Sequence, residues 1–242
     1  MRNLRIDLEY DGTEFSGWQR QPDVRTVQGE LETAAATVLR HPVTVWGCAR
    51  TDAGVHALGY VANLRTERDI PNSRLCIGLN ALLPEDVAVH AVSDVPEDFH
   101  ARYSARARRY QYRIATQPVA VWRRVAYESY RALDAARMAS AATHLLGEHD
   151  FTSFTAAESE ANPVCHVHEL EVAREGPYLL VTVQANRFLY HMVRVIAGTL
   201  LEVGKGRIQP EQVAEVLRKK DRRAAGPTAP AQGLTLLSVR YD

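Results

Sequence analysis

The sequence predicts an α+β fold: two similar α/β-sandwich halves sharing a mixed, largely antiparallel sheet, with helices packed on one face. Three observations carry this expectation. Runs in which apolar and polar residues alternate with period two recur along the chain, as in half-buried strands. Between them lie segments with a capping residue and apolar positions at helical spacing. The alternation is clean, which suits antiparallel strands with one covered face better than the continuous apolar runs of a parallel sheet. The halves are expected to be residues 1–105 and 106–242.

Leu4, Ile6, Leu8 and Tyr10 alternate as a first strand, broken by Asp11-Gly12. Thr26 can cap a helix whose apolar positions are Val27, Leu31, Ala34, Ala35, Val38 and Leu39, ended by Pro42. Val43-Thr44-Val45-Trp46 and Tyr60-Val61-Ala62-Asn63-Leu64 read as strands. Ser73 can cap a second helix running to Leu83 and stopped by Pro84, and Val87, Val89 and Ala91 read as the next strand. In the second half Tyr110, Tyr112 and Ile114 form a strand face. Asp134 caps a helix carrying Ala135, Met138, Ala142, Leu145 and Leu146, closed by Gly147. Leu179, Val181 and Val183 alternate; residues 188–203 read as a long apolar helix ending at Gly204; Pro210 opens another helix with Val213, Val216 and Leu217. Leu236-Leu237-Ser238-Val239 closes as a strand, and residues 158–163 and 224–232 read as exposed connections.

The hydrophobic share of 46% and charged share of 24% are ordinary for a globular chain. No apolar run approaches the roughly 18 residues of a membrane span, and the first residues enter strand pattern directly, so no signal peptide is expected. Cys48, Cys76 and Cys165 are odd in number and widely spaced, which points to buried thiols in a reducing, cytoplasmic compartment. A net charge of zero gives no general basic character, but Arg102, Arg106, Arg108, Arg109 and Arg113 fall in one short stretch.

The most informative run is Arg50-Thr51-Asp52-Ala53-Gly54-Val55-His56. A carboxylate at a strand-to-loop junction, with a guanidinium two residues before it, can be held ionised and open to a substrate as nucleophile or base. The same spacing also fits a surface turn in which Asp and Gly set the backbone. On a strand, Arg108, Tyr110, Tyr112 and Ile114 share one face and Arg109, Gln111 and Arg113 the other. A tyrosine beside guanidinium groups can stack a nucleobase while they hold phosphate, or it can be a core ring with solvated neighbours. Arg187, His191 and Arg194 lie at helical spacing and could form a polar edge on the apolar helix. Gly198 to Lys205 has the wrong spacing and position for a phosphate loop, and no nucleophile elbow of the serine hydrolases is present. Cys165-His166-Val167-His168 has no partner motif that would make it a metal site, so neither metal nor cofactor is expected.

Seven segments together resemble one family. They are Tyr10-Asp11-Gly12 with Phe15-Ser16-Gly17-Trp18-Gln19; the Arg50 to His56 run; Phe99-His100-Ala101-Arg102; and Arg109-Tyr110-Gln111-Tyr112. The rest are His149-Asp150-Phe151, the apolar stretch 188–204, and Gly226-Pro227-Thr228-Ala229-Pro230. In this order, nearly end to end, the chain is similar to the tRNA pseudouridine synthase A family. Ala49 stands where that family usually has Gly. The resemblance implies isomerisation of uridine to pseudouridine in the anticodon stem-loop of tRNA, at tRNA positions 38, 39 and 40. It implies a homodimer with tRNA across both subunits, and no cofactor or metal. It assigns Asp52 as the essential carboxylate, Arg50 as its neighbour in the catalytic loop and Tyr110 as the ring stacking on uracil. Arg102, Arg106, Arg108, Arg187 and Arg194 are the candidate tRNA contacts. Two other functions use the same residues differently: a hydrolase that releases free uracil, which usually wants two flanking carboxylates, and a tRNA-binding module without catalysis.

Overall fold

The computed structural model describes residues 1–157 and 162–242, so the connection expected at 158–163 lies largely outside the described residues. The chain divides into two compact units, Met1–Arg106 with Leu236–Asp242, and Ala107–Thr235. The last strand, from Leu236, therefore packs with the first unit.

In the first unit β1 (Arg2–Tyr10) sits between β4 (Val87–Val95) and β3 (His56–Thr66), antiparallel to both. The short strand β2 (Val45–Gly47) pairs antiparallel with β3. Leu4, Ile6, Leu8 and Tyr10 are all buried, as alternation requires. Helix α1 (Val27–Leu39) begins where expected: the Thr26 hydroxyl accepts from the Gly29 N–H at 3.3 Å, and Val27, Leu31, Ala35 and Leu39 are buried. Helix α2 (Asn72–Asn80) differs from expectation. Pro71 stands at its start without a side-chain cap, and it ends at Asn80 rather than Leu83. At this end the Asn80 side chain brackets Val89, accepting from its N–H and donating to its carbonyl, both at 2.8 Å.

In the second unit β5 (Ala107–Ala115) pairs antiparallel with β9 (Tyr178–Ala185), β9 with β8 (Val164–Glu175), and β8 with β7 (Gly147–Asp150). The two-residue β6 (Tyr127–Glu128) is the parallel exception, on β5. Pairing is thus mostly antiparallel and the class is α+β, as the alternation predicts. Asp134 caps α3 (Ala135–Ala142) by accepting from the Arg137 N–H at 3.1 Å. Helix α4 (Met192–Gly204) starts four residues later than the apolar pattern predicts: residues 186–189 are irregular, 190–191 form a turn, and His191 is left-handed (φ 58°). Helix α5 (Gln212–Lys219) buries Val213, Val216 and Leu217 as expected. The 224–232 segment is not simply exposed. Gly226 and Ala229 are buried, and the segment lies so close to α4 that a Cβ on Gly198 would sit 1.7 Å from the Pro227 carbonyl oxygen. The chain closes with β10 (Leu234–Arg240), where a Cβ on Gly59 would meet the Leu237 carbonyl at 2.3 Å.

Cys48 and Cys165 are buried free thiols and Cys76 is half-buried. Among the described residues no helix is long and apolar enough to cross a membrane.

Candidate active site

The Asp52 loop closes the hairpin between β2 and β3. Val45 pairs with Leu64 and Gly47 with Ala62, and the Cys48 N–H donates to the Val61 carbonyl at 2.9 Å. Beyond Cys48 the chain leaves the sheet, and the N-terminal segment after β1 holds it. Trp18 N–H donates to the Thr51 carbonyl at 3.1 Å, and Gly54 N–H to the Phe15 carbonyl at 3.3 Å. Tyr10 Oη and Thr51 Oγ1 share a buried hydrogen bond at 2.7 Å. Val55 N–H returns to the Asp52 carbonyl at 3.2 Å, a tight turn that Gly54 permits with φ 78°. Asp52 is therefore flanked by fixed backbone on both sides, while its own side chain stays half-exposed.

Below the loop lies an aromatic cluster. Trp18 stacks on Tyr60 with centroids 4.1 Å apart, Tyr10 lies 5.5 Å from Tyr60, and the Tyr60 hydroxyl donates to the Ala49 carbonyl. Gly12 is so close to the loop that a Cβ there would lie 2.0 Å from the Val55 carbonyl oxygen. His56, nearly buried at the loop's exit, places Nδ1 3.1 Å from the Gly12 N–H, which it can accept, and 3.0 Å from Asp11 Oδ1. The motif around Tyr10 to Gln19 and the motif around Asp52 are thus one object. The sequence places Tyr10 and Trp18 in one family motif and Thr51 in another, but gives none of them, nor Tyr60, a contact that joins the two. Their partners are tens of residues away, where local pattern has no reach.

Arg50 departs from expectation. Its side chain is exposed, and no ion pair joins it to Asp52 among the described residues.

In the second unit Tyr110 projects from β5 with 8% of its surface exposed, and its ring meets Phe188 edge-on at 5.2 Å. The predicted face is present: Tyr110, Tyr112 and Ile114 are buried, and Arg109, Gln111 and Arg113 line the other side. Tyr112 is structural. It is fully buried, its hydroxyl donates to the Pro230 carbonyl at 2.9 Å, and burial pushes its pKa well up. Arg108 donates to the Asn186 carbonyl at 3.1 Å, and Arg194 Nε to the Ala229 carbonyl at 2.8 Å. Arg187 donates to the Asn162 carbonyl at 2.6 Å; it lies in the turn before α4, so the helical edge expected of Arg187, His191 and Arg194 does not form. Alternation also splits the arginine cluster. Arg109 bridges to Glu169 at 2.7 Å, and Arg113 lies over the Trp122 and Tyr178 rings, both on the side away from Tyr110. Arg102 and Arg106 are exposed in the first unit. The other motifs are scaffolding: Asp150 pairs with Lys220 at 2.8 Å, Phe151 is fully buried, and the Gly226 N–H donates to Thr199 Oγ1 at 2.9 Å. His166 and His168 sit on the exposed side of β8 with rings 4.5 Å apart. No group of three metal-ligating side chains converges among the described residues.

The first unit thus holds a half-exposed carboxylate on a doubly pinned loop, and the second unit a near-buried tyrosine on a strand. The family profile for tRNA pseudouridine synthase matches residues 8–104 and 141–242. The chain belongs to this family, enzymes that isomerise uridine in tRNA. Among its relatives, tRNA pseudouridine synthase A of Enterobacter sp. (strain 638) is 46% identical over 245 residues, covering 100% of this chain and 90% of its own length. The tRNA pseudouridine synthase A of Escherichia coli (strain SMS-3-5 / SECEC) is 47% identical, covering 98% and 89%. A solved structure titled "Crystal Structure of a Cbf5-Nop10-Gar1 Complex" aligns at 11% identity and a TM-score of 0.39, over 99% of this chain and 58% of its own, a likeness too remote to bear on the site.

Proposed function

We propose that this chain converts uridine to pseudouridine in the anticodon stem-loop of tRNA, with Asp52 as the essential carboxylate and Tyr110 as the ring on which uracil stacks. In the reaction the N1–C1′ bond breaks, uracil turns, and C5 bonds to C1′. The C5 proton leaves and N1 gains one, so atoms and electrons balance without an external electron carrier. The observation that carries the role of Asp52 is its cradle: hydrogen bonds involving Trp18, Gly54 and Tyr10 fix the residues on either side of a half-exposed carboxylate. Fixing a reacting group before substrate arrives is what lowers the entropic barrier.

Tyr110 suits stacking better than proton transfer, since an ordinary tyrosine has a pKa of about 10. Flipping a uridine out of its helix costs a few kcal/mol, and a base–aromatic stack returns about 1–3 kcal/mol. Contacts to phosphate supply the remainder, and Arg102, Arg106, Arg108, Arg187 and Arg194 are the proposed sources. Arg50, exposed beside Asp52, is proposed to fill the space the flipped uridine leaves. The working unit is proposed to be a cytoplasmic homodimer with tRNA contacting both subunits, requiring neither metal nor cofactor.

The test uses tRNA transcripts tritiated at uridine C5. Release is expected from a wild-type anticodon arm and lost when its uridines are replaced by cytidine. Unchanged release would place the target elsewhere in the tRNA. Sedimentation at the concentration of the assay reads the dimer directly, and a monomer there would reject that part.

A further inference from the structure

The turn at residues 96–104 presents a ladder of rings that the proposed chemistry does not use. Trp46 on β2 lies 6.0 Å from the His100 ring, and His100 lies 4.4 Å from Tyr103. The Arg102 guanidinium is 5.8 Å from the Tyr103 centroid. Tyr103 nevertheless keeps 77% of its surface open, enough to leave a ring face uncovered.

This presentation is built. Asn3 and Asn63, both buried polar side chains, bond each other at 3.0 Å and together pin the turn. Asn3 donates to the Pro96 and Phe99 carbonyls at 2.9 Å, and Asn63 accepts from the Ala101 N–H at 2.9 Å. Tyr241 donates to the Ala101 carbonyl at 2.8 Å and packs its ring on Phe99. His100 is fixed in turn: its N–H donates to Ser104 Oγ at 3.0 Å, and its Nδ1 accepts from the Arg102 N–H at 3.1 Å. Burial, then the charges of Arg102 and Arg65, lower the His100 pKa, so the ring under Tyr103 is neutral at neutral pH. The cations beside the ladder are thus Arg65 and Arg102. Tyr130, the other highly exposed tyrosine, has no such setting: its hydroxyl donates to Glu128, an acid that repels phosphate.

We propose that Tyr103, backed by His100 and Trp46, is a stacking platform for a second, unmodified base of the tRNA, an unpaired nucleotide whose phosphate lies toward Arg102 and Arg65. This inference rests on the reading that tRNA is the substrate. A flat ring stacks any base, so the platform positions the RNA without reading its sequence. Rigid presentation matters because a ring ordered beforehand loses little entropy on binding.

The test measures Kd for a tRNA transcript at one fixed salt concentration, because affinity for nucleic acid is salt-dependent. Tyr103→Ala is expected to weaken Kd by about 5- to 150-fold, the range one base–aromatic stack supplies, and Tyr103→Phe by less than about twofold. Abasic substitution is then walked through the unpaired nucleotides. One position is expected to weaken binding to the wild type and to have no further effect in Tyr103→Ala. A Tyr103→Ala protein with an unchanged melting temperature and unchanged Kd would overturn the platform. Unchanged Kd with altered sedimentation would overturn it in favour of a contact between copies of the chain. Loss of binding in Tyr103→Phe equal to that in Tyr103→Ala would overturn stacking in favour of a hydroxyl contact. Tritium release by the wild type on the same transcripts reports isomerisation separately, so failure of the platform and failure of the activity are distinguished.

Discussion

At the scale of residues, the site depends on how closely backbone approaches backbone. Gly12 has no room for a methyl group, since its Cβ would meet the Val55 carbonyl at 2.0 Å, whereas a Cβ on Gly176 meets nothing within 4 Å. Gly12→Ala is expected to displace the Asp52 loop, costing about 1–3 kcal/mol of stability and at least about tenfold in kcat. Gly176→Ala, strained only by its φ of 56°, should leave kcat unchanged. Tritium release and urea melts of the two variants make the comparison; equal kcat in both would mean the loop does not depend on Gly12. Tyr60→Phe removes the donor to the half-buried Ala49 carbonyl. It should cost about 0.5–1.5 kcal/mol, or roughly 1–6 °C in Tm for a chain of this size.

At the scale of elements, strands were the most legible part. The alternation of Leu4, Ile6, Leu8 and Tyr10 requires a covered face, and β1 has one. Helix starts were legible where a side chain caps them, at Thr26 and Asp134, and misread where backbone competition decides. Residues 186–191 have helical spacing of apolar groups. Yet Asn186 Oδ1 accepts from the His166 N–H at 2.9 Å and from the Arg187 N–H at 2.7 Å, and this holds the segment in a turn. Asp52 and Tyr110 were legible as candidates because each lies within a short motif. The cradle was not, because Tyr10 and Trp18 find Thr51 only after the sheet forms. A separate ion pair ties β1 to β4 through charge. Arg2 and Asn72 bond Asp94 on β4 and hold its carboxyl at about 2, below its ordinary 3.8. The folded pKa is depressed, so the stabilisation is present above about pH 4 and lost as pH falls toward 2. The stability difference between wild type and Asp94→Asn should therefore shrink across that window; a difference constant from pH 7 to 2 would remove the pair from the account.

At the scale of the whole molecule, zero net charge means that tRNA affinity must come from local placement of arginines. Binding should weaken as salt rises, and reversing Arg102 or Arg106 to Glu should raise KM more than it lowers kcat. A loss confined to kcat would instead put these side chains at the reacting centre. Two competing functions, hydrolysis to free uracil and binding without catalysis, diverge from isomerisation at one atom, C5 of uridine. Mass does not change on isomerisation, so the hydrogen lost from C5 is the direct signal. The most direct measurement follows tritium release and free uracil together on C5-tritiated tRNA, for wild type and Asp52→Ala. Tritium release without free uracil, abolished in Asp52→Ala while tRNA binding persists, is the predicted result. Free uracil without tritium release, or undiminished release by Asp52→Ala, would contradict the central role given to Asp52 in isomerisation.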